Sequence, residues 1–306
     1  MPDFLTDPIY KKVFVGTTAI GGVSGALGCF AYLRRQSLMG DIVSHSSLLG
    51  VVAAFLLVHS LGLGDPKSVA TIVPGALVAG TLAMLLATSI TNRTRIKEDA
   101  SMGVMLAVFF GTGTFLLRYA KESVGREASG LDGYVFGLAA ALSNADLLMI
   151  AGLGVVSIAT MLVFWKEFKL VTFDPVFARS IGLRTRILDP LLVLLLVIGI
   201  VIGIRAVGVI LMIALLITPA ASARQWTRHL GSMVTLAALF GAISGGLGSV
   251  LSTQLGVPPG PVIVLVVTAV FIVSILLAPG RGVVARLRSR KRRAAQLEPP
   301  TKGAAA

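Results

Sequence analysis

Arg34-Arg35-Gln36-Ser37-Leu38-Met39-Gly40-Asp41-Ile42-Val43-Ser44-His45-Ser46-Ser47-Leu48-Leu49-Gly50 links two long apolar runs, 13–33 and 41–63. Two arginines close the first run, and an acid and an imidazole enter the second. On a helix, positions 41 and 45 lie one turn apart on one face. Ionisable groups inside a bilayer are costly and face a bundle interior or a pathway. A carboxylate with a neutral imidazole also suits a divalent transition metal. By chemistry alone the pair fits a structural contact, a proton relay or a metal site.

The same alternation of basic connection and apolar run extends in both directions. Hydrophobic residues make up 55% of the 306 positions and charged residues 13%, with a mean hydropathy of +0.90. Soluble domains carry roughly 25% charged residues, so the composition predicts an all-α polytopic membrane protein. Windows long enough to cross roughly 30 Å of hydrocarbon lie at 13–33, 41–63, 69–91, 100–118, 145–165, 187–204, 206–224, 230–252 and 260–279. They predict eight or nine transmembrane helices. The apolar segment 134–143 is too short to span and suits an interfacial or re-entrant position. Gly21-x-x-x-Gly25 and Gly241-x-x-x-Gly245 fit close helix contacts, or equally turns and helix flexibility.

The net charge of +13 raises nucleic acid as a partner, but its distribution argues against it. The cluster Arg281 to Arg293 directly follows the last apolar run and reads as a cytoplasmic anchor at anionic lipid. Arg34-Arg35, the Arg93/Arg95/Lys97 connection, Lys166–Arg186, Arg224/Arg228 and the tail all fall inside if nine spans alternate. That puts the N-terminus outside and the C-terminus in the cytoplasm. Lys11 and Lys12 fit less well and leave room for an N-terminal interfacial helix. Met1 to Lys12 lacks a signal-peptide pattern, so the first span is expected to be retained. Cys29 stands alone in an apolar run, which excludes a disulfide framework. The domain reading is a transmembrane unit, 1–280, followed by a basic, disordered cytoplasmic tail, 281–306.

The longest inside connection contains Thr172-Phe173-Asp174-Pro175-Val176-Phe177-Ala178-Arg179-Ser180-Ile181-Gly182-Leu183. Asp174 suits an N-cap, Pro175 the first helical position and Gly182 a left-handed stop. A short apolar helix of about two turns is therefore expected, docked on lipid, on its own bundle or on a partner protein.

These segments now carry a resemblance. Gly40–Gly50, then Ile96-Lys97-Glu98-Asp99-Ala100-Ser101-Met102-Gly103-Val104, then Thr172–Leu183, then Ala206–Arg224 occur in this order and at suitable spacing. Together they resemble the permease subunits of bacterial ABC importers for manganese, zinc and iron(II), from about residue 13 to residue 279. The resemblance implies that Asp41 and His45 meet the metal in transit. It implies that a coupling segment at about 166–186 contacts the ATPase through Asp174, Phe177, Ala178, Arg179 and Gly182. It also matches Asp99 to the family's acidic position in this motif, with a part in gating, whereas Glu98 is accounted for as an acid opening a helix. His59, fourteen residues after His45 and close to the same face, reads as a second stop or an interfacial hydrogen bond. His229 reads as a solvated loop residue.

No G-x-x-x-x-G-K-[ST] motif is present, so nucleotide hydrolysis belongs to another chain. The expected function is a permease, not an enzyme. It would bind no cofactor of its own, take a divalent metal as substrate and be powered by a partner's ATP. The expected partners are a cytoplasmic ATP-binding-cassette ATPase, a second permease copy or homologue, an extracytoplasmic metal-binding protein and membrane lipid. The expected location is the bacterial cytoplasmic membrane, with no nucleic acid partner. Two rivals differ in class: an ATP-independent secondary cation transporter or channel using Asp41 and His45, and an intramembrane hydrolase using Ser244. One positional question stays open. Asp41 lies six residues past Arg35, about 9 Å along a helix, within reach of pairing with Arg34 or Arg35.

Overall fold

Apolar runs bounded by glycine, proline and basic residues fold into helices throughout. The computed structural model describes residues 8–36, 38–62, 64–128, 130–131, 142–279 and 282; of Arg126, Arg205, Ala206, Val209 and Ile210 it describes the backbone alone. In chain order the helices are α1 (Pro8–Leu33), α2 (Met39–Leu61), α3 (Val69–Arg93), α4 (Glu98–Val124), α5 (Asn144–Val163), α6 (Trp165–Phe173), α7 (Pro175–Ser180), α8 (Thr185–Val207), α9 (Val209–Trp226), α10 (Leu230–Leu255) and α11 (Pro259–Leu277). No strand occurs among the described residues. Among the described residues eight helices are long and apolar enough to cross a membrane: α1 to α5, α8, α10 and α11. The chain is an all-α, multi-pass membrane protein. Helix α9, with 18 residues, covers most of the expected window 206–224. It is separated from α8 by Gly208 at φ 83°.

Helices α1 and α8 are the most buried spans, and α4 and α11 the least. In lipid the apolar effect does not drive helices together, so close van der Waals packing must. The α1–α10 crossing shows how. Gly21 meets the backbone of Gly241, Gly25 meets the carbonyl of Ala237, and Gly245 meets the carbonyl of Thr17. At each of these positions a Cβ would collide with main-chain atoms. Both glycine pairs read from sequence are therefore contacts. Thr17 Oγ1 adds a hydrogen bond across the crossing, donating to the Gly245 carbonyl at 3.0 Å. Helix α2 is held in the same way against α3, where Gly50 faces Gly75, and against α4, where Gly113 faces the backbone of Leu49.

Two expectations change in detail. Lys11 and Lys12 lie within α1, not on a separate interfacial helix. The span that starts α5 stops at Val163, and after Phe164 the chain folds into α6, where a loop was expected. Helix α6 forms because its apolar face has a place to go: Phe168 and Val171 are buried, and Phe30 of α1 meets Trp165 and Phe168 edge-on, each at 6.2 Å between ring centres. The greater part of the 134–143 segment and the 281–306 tail lie outside the described residues.

Candidate functional site

Helix α2 starts at Met39, with Leu38 at the cap position and no side-chain cap. Asp41 therefore sits in the first turn, where an acid complements the helix dipole. His45 follows one turn later. Both side chains are partly exposed, whereas Ile42, Val43, Ser44, Ser46 and Ser47 around them are buried. The carboxylate and the imidazole lie close enough for Asp41 to act electrostatically on His45. The His45 ring is set by Phe110 of α4, which it meets edge-on at 4.8 Å and 72°.

The open question about Asp41 has a clear structural answer. Arg34 Nη2 donates to Asp189 Oδ1 of α8 at 2.8 Å, not to Asp41. Asp41 makes no ion pair with any described residue. The pair thus offers one oxygen group and one imidazole, and no cluster of three or more His, Cys, Asp or Glu able to hold a metal occurs among the described residues. A two-donor arrangement leaves most of an ion's coordination to water.

His59 lies near the far end of α2, about 21 Å from His45 along the helix. Its Nδ1 is 3.2 Å from Glu127 Oε2, and its ring stacks on Phe55 at 6.1 Å. The fold does not bring it to the Asp41–His45 pair. Asp99 is exposed in the first turn of α4. Its neighbour Glu98 accepts a hydrogen bond from Gln36 Nε2 at 2.7 Å, which ties the start of α4 to the connection before α2. Asp99 is thereby at the same end of the bundle as Asp41.

The connection between α5 and α8 folds as its residues suggest. Asp174 Oδ1 accepts the Phe177 N–H at 2.9 Å, Pro175 opens α7, and Gly182 takes φ 86° just past its end. Ala178 is buried and anchors the helix, while Val176, Phe177 and Ile181 are exposed. Arg179 is exposed on the same short helix. His229 is exposed before α10. Ser244 is buried and donates to the Phe240 carbonyl at 2.7 Å, a bond within its own helix that occupies the hydroxyl proposed for hydrolysis. Sequence reasoning missed Phe110, Glu127 and Asp189, because each partner comes from a distant segment and carries no local motif. It also missed Ser44 and Ser46, whose buried hydroxyls have no partner among the described residues.

The fold and site define a multi-pass helical membrane protein, with a polar pair opening one span and a capped short helix presented between two others. The family model described as "ABC 3 transport family" matches residues 6–278. The manganese transport system membrane protein MntC of Bacillus subtilis is 42% identical over 293 residues, covering 94% of this chain and 66% of that protein. The zinc transport system membrane protein TroC of Treponema pallidum is 42% identical over 288 residues, covering 94% of this chain and 95% of its own. Among solved structures, PsaBC from Streptococcus pneumoniae in complex with Fab matches with a TM-score of 0.79 at 31% identity, covering 94% of this chain and 97% of that one. The chain belongs to the ABC 3 transport family and is the transmembrane permease subunit of a divalent-metal ABC importer.

Proposed function

We propose that this subunit passes manganese(II), zinc(II) or iron(II) into the cytoplasm, with Asp41 and His45 as its transit ligands. The observation that carries the reading is the pair's setting: two partly exposed donors one turn apart, free of Arg34, among buried neighbours at the start of α2. Oxygen and imidazole donors suit these three metals, and a site with few protein ligands can release what it binds. Manganese and zinc are further supported by the names of the two relatives. His59 with Glu127 serves as an outer stop, and Asp99 as part of the inner gate.

The transmembrane unit, 1–280, pairs with a second copy or a homologous permease, and the metal moves along their shared interface. Segment 166–186 is the coupling element. Asp174 caps α7, Ala178 anchors it, Gly182 ends it, and Phe177 and Arg179 meet a cytoplasmic ATP-binding-cassette ATPase. Exposed apolar side chains on a helix too short to span need a partner, and a groove on that ATPase provides one. ATP hydrolysis in the ATPase rocks the permease pair between outward- and inward-open states. An extracytoplasmic metal-binding protein delivers the metal. The chain sits in the bacterial cytoplasmic membrane with its C-terminus inside, and the basic tail 281–306 rests on anionic lipid. The test is uptake of manganese, zinc and iron(II) by the complex reconstituted in vesicles. ATP-dependent uptake that Asp41→Ala and His45→Ala abolish supports the reading. Uptake by the purified chain without an ATPase favours a secondary transporter or channel instead.

A further inference from the structure

Where the connections before α2, before α4 and before α8 meet, a cleft of about 1220 Å³ opens between the helix ends. Arg34, Arg35, Arg179, Arg184 and Arg186 line it, against Glu98 and Asp189. Those two acids are already engaged: Asp189 holds Arg34 at 2.8 Å, and Glu98 accepts from Gln36 at 2.7 Å. Arg35, Arg179, Arg184 and Arg186 form no ion pair with any described residue. Guanidiniums gathered in a cleft without counter-charge repel one another and focus a potential that draws in anions.

The backbone adds an independent sign. Helix α1 ends in a Schellman cap, in which the Gln36 N–H bonds to the Ala31 carbonyl and the Arg35 N–H to the Tyr32 carbonyl, each at 3.1 Å. The left-handed position of such a cap favours glycine. Here it is held by Arg35 at φ 60°, the one non-glycine residue with positive φ among the described residues. A strained position filled by arginine points to a use for the guanidinium.

The rest of the lining identifies the ligand class. Of the apolar lining, Met102, Val171 and Val193 are buried, and Leu85 of α3 is 39% exposed beside the arginines. The cleft opens where the apolar spans α1, α3, α4 and α8 begin or end, the level at which lipid headgroups meet basic pockets between helices. We propose that this cleft binds the phosphate headgroup of an anionic phospholipid, with Arg35, Arg184 and Arg186 on the phosphate and the acyl chain running past Leu85.

The test uses the full chain reconstituted with phosphatidylcholine and phosphatidylglycerol, extracted in mild detergent, with retained lipid counted by mass spectrometry. Phosphatidylglycerol is expected to be retained selectively. Retention should fall about fivefold in Arg35→Gly and about thirtyfold in Arg184→Gln/Arg186→Gln. Arg35→Gly relaxes the cap, so its thermal stability in lipid-free detergent should hold or rise while lipid is lost, which separates binding from misfolding. Neutralising Arg290, Lys291, Arg292 and Arg293 of the tail should leave cleft retention unchanged. Equal retention of both lipids, unchanged retention in both cleft variants, or full displacement by inorganic phosphate would overturn the proposal; the last outcome would identify a soluble-anion site.

Discussion

Arg34 and Asp189 meet at 2.8 Å across 155 positions of sequence, joining the end of α1 to the first turns of α8. The contact does two things at once. It closes the basic end of the bundle, and it occupies the arginine that would otherwise reach for Asp41. A local reading of charge spacing pairs the nearest opposite charges, but helix direction decides who meets whom.

The ion pair has a measurable weight. The Arg34 side chain is 13% exposed and that of Asp189 40%, between the surface and fully buried regimes. Asp189→Asn should therefore cost about 1–2 kcal/mol of stability. A double-mutant cycle with Arg34→Gln, followed by thermal unfolding in detergent, should return a coupling of that size. Additive single effects would mean the pair is incidental.

The α1–α10 crossing should be the least tolerant place in the membrane unit. Gly21→Ala and Gly241→Ala each put a methyl group against main-chain atoms of the other helix. Each should destabilise by about 1–3 kcal/mol. Gly103→Ala is the matched control, because a Cβ there meets nothing within 4 Å. It should hold or slightly raise the melting temperature, because alanine favours the helix, and a loss comparable to that at Gly21 would defeat the packing account.

Much of the fold was readable because membrane spans announce themselves. Length, apolarity and basic connections are properties of a single segment, and so is the Asp174–Pro175–Gly182 punctuation that writes α7. The two glycine pairs were readable as a pattern but not as partners, since Gly21 finds Gly241 only once α1 and α10 cross. Helix α6 was hidden because Lys166, Glu167 and Lys169 look like loop, and its stability comes from Phe168 packing against Phe30 of α1. The candidate pair Asp41–His45 was legible by helical spacing. Its surroundings were not: Phe110, which sets the His45 ring, and Asp189, which takes Arg34, come from other helices, and sequence carries no trace of which side chain a neighbour presents.

Ligand softness gives a test of the transit pair that loss of function alone cannot. Asp41→Asn removes the anionic donor and should cut uptake of every metal by at least about tenfold. His45→Cys instead exchanges an imidazole for a soft thiolate. Manganese uptake should fall while zinc binds more tightly and leaves more slowly, so zinc should turn from substrate to inhibitor. Parallel uptake assays with both metals check this. An unchanged ratio of manganese to zinc transport in His45→Cys would remove His45 from the path.

The coupling helix allows binding to be separated from folding. Phe177 is 51% exposed and Ala178 is fully buried, one residue apart on α7. Phe177→Ala should change the stability of the isolated permease by less than about 0.5 kcal/mol, as for other exposed sites. If Phe177 fills a groove on the ATPase, the same change should weaken assembly by about thirtyfold, the loss expected of an aromatic anchor. Ala178→Leu should act in reverse, overpacking the seat of α7 and destabilising the permease itself by about 1–3 kcal/mol. Gly182→Ala adds a third signature, because φ 86° strains any side chain, and should cost about 1 kcal/mol by loosening the end of α7. Co-purification with the ATPase, and metal-stimulated ATP hydrolysis in the assembled complex, read the binding side; thermal unfolding of the permease alone reads the other. Full assembly and stimulation in Phe177→Ala would mean that the exposed face of α7 rests on lipid, and that power enters the permease elsewhere.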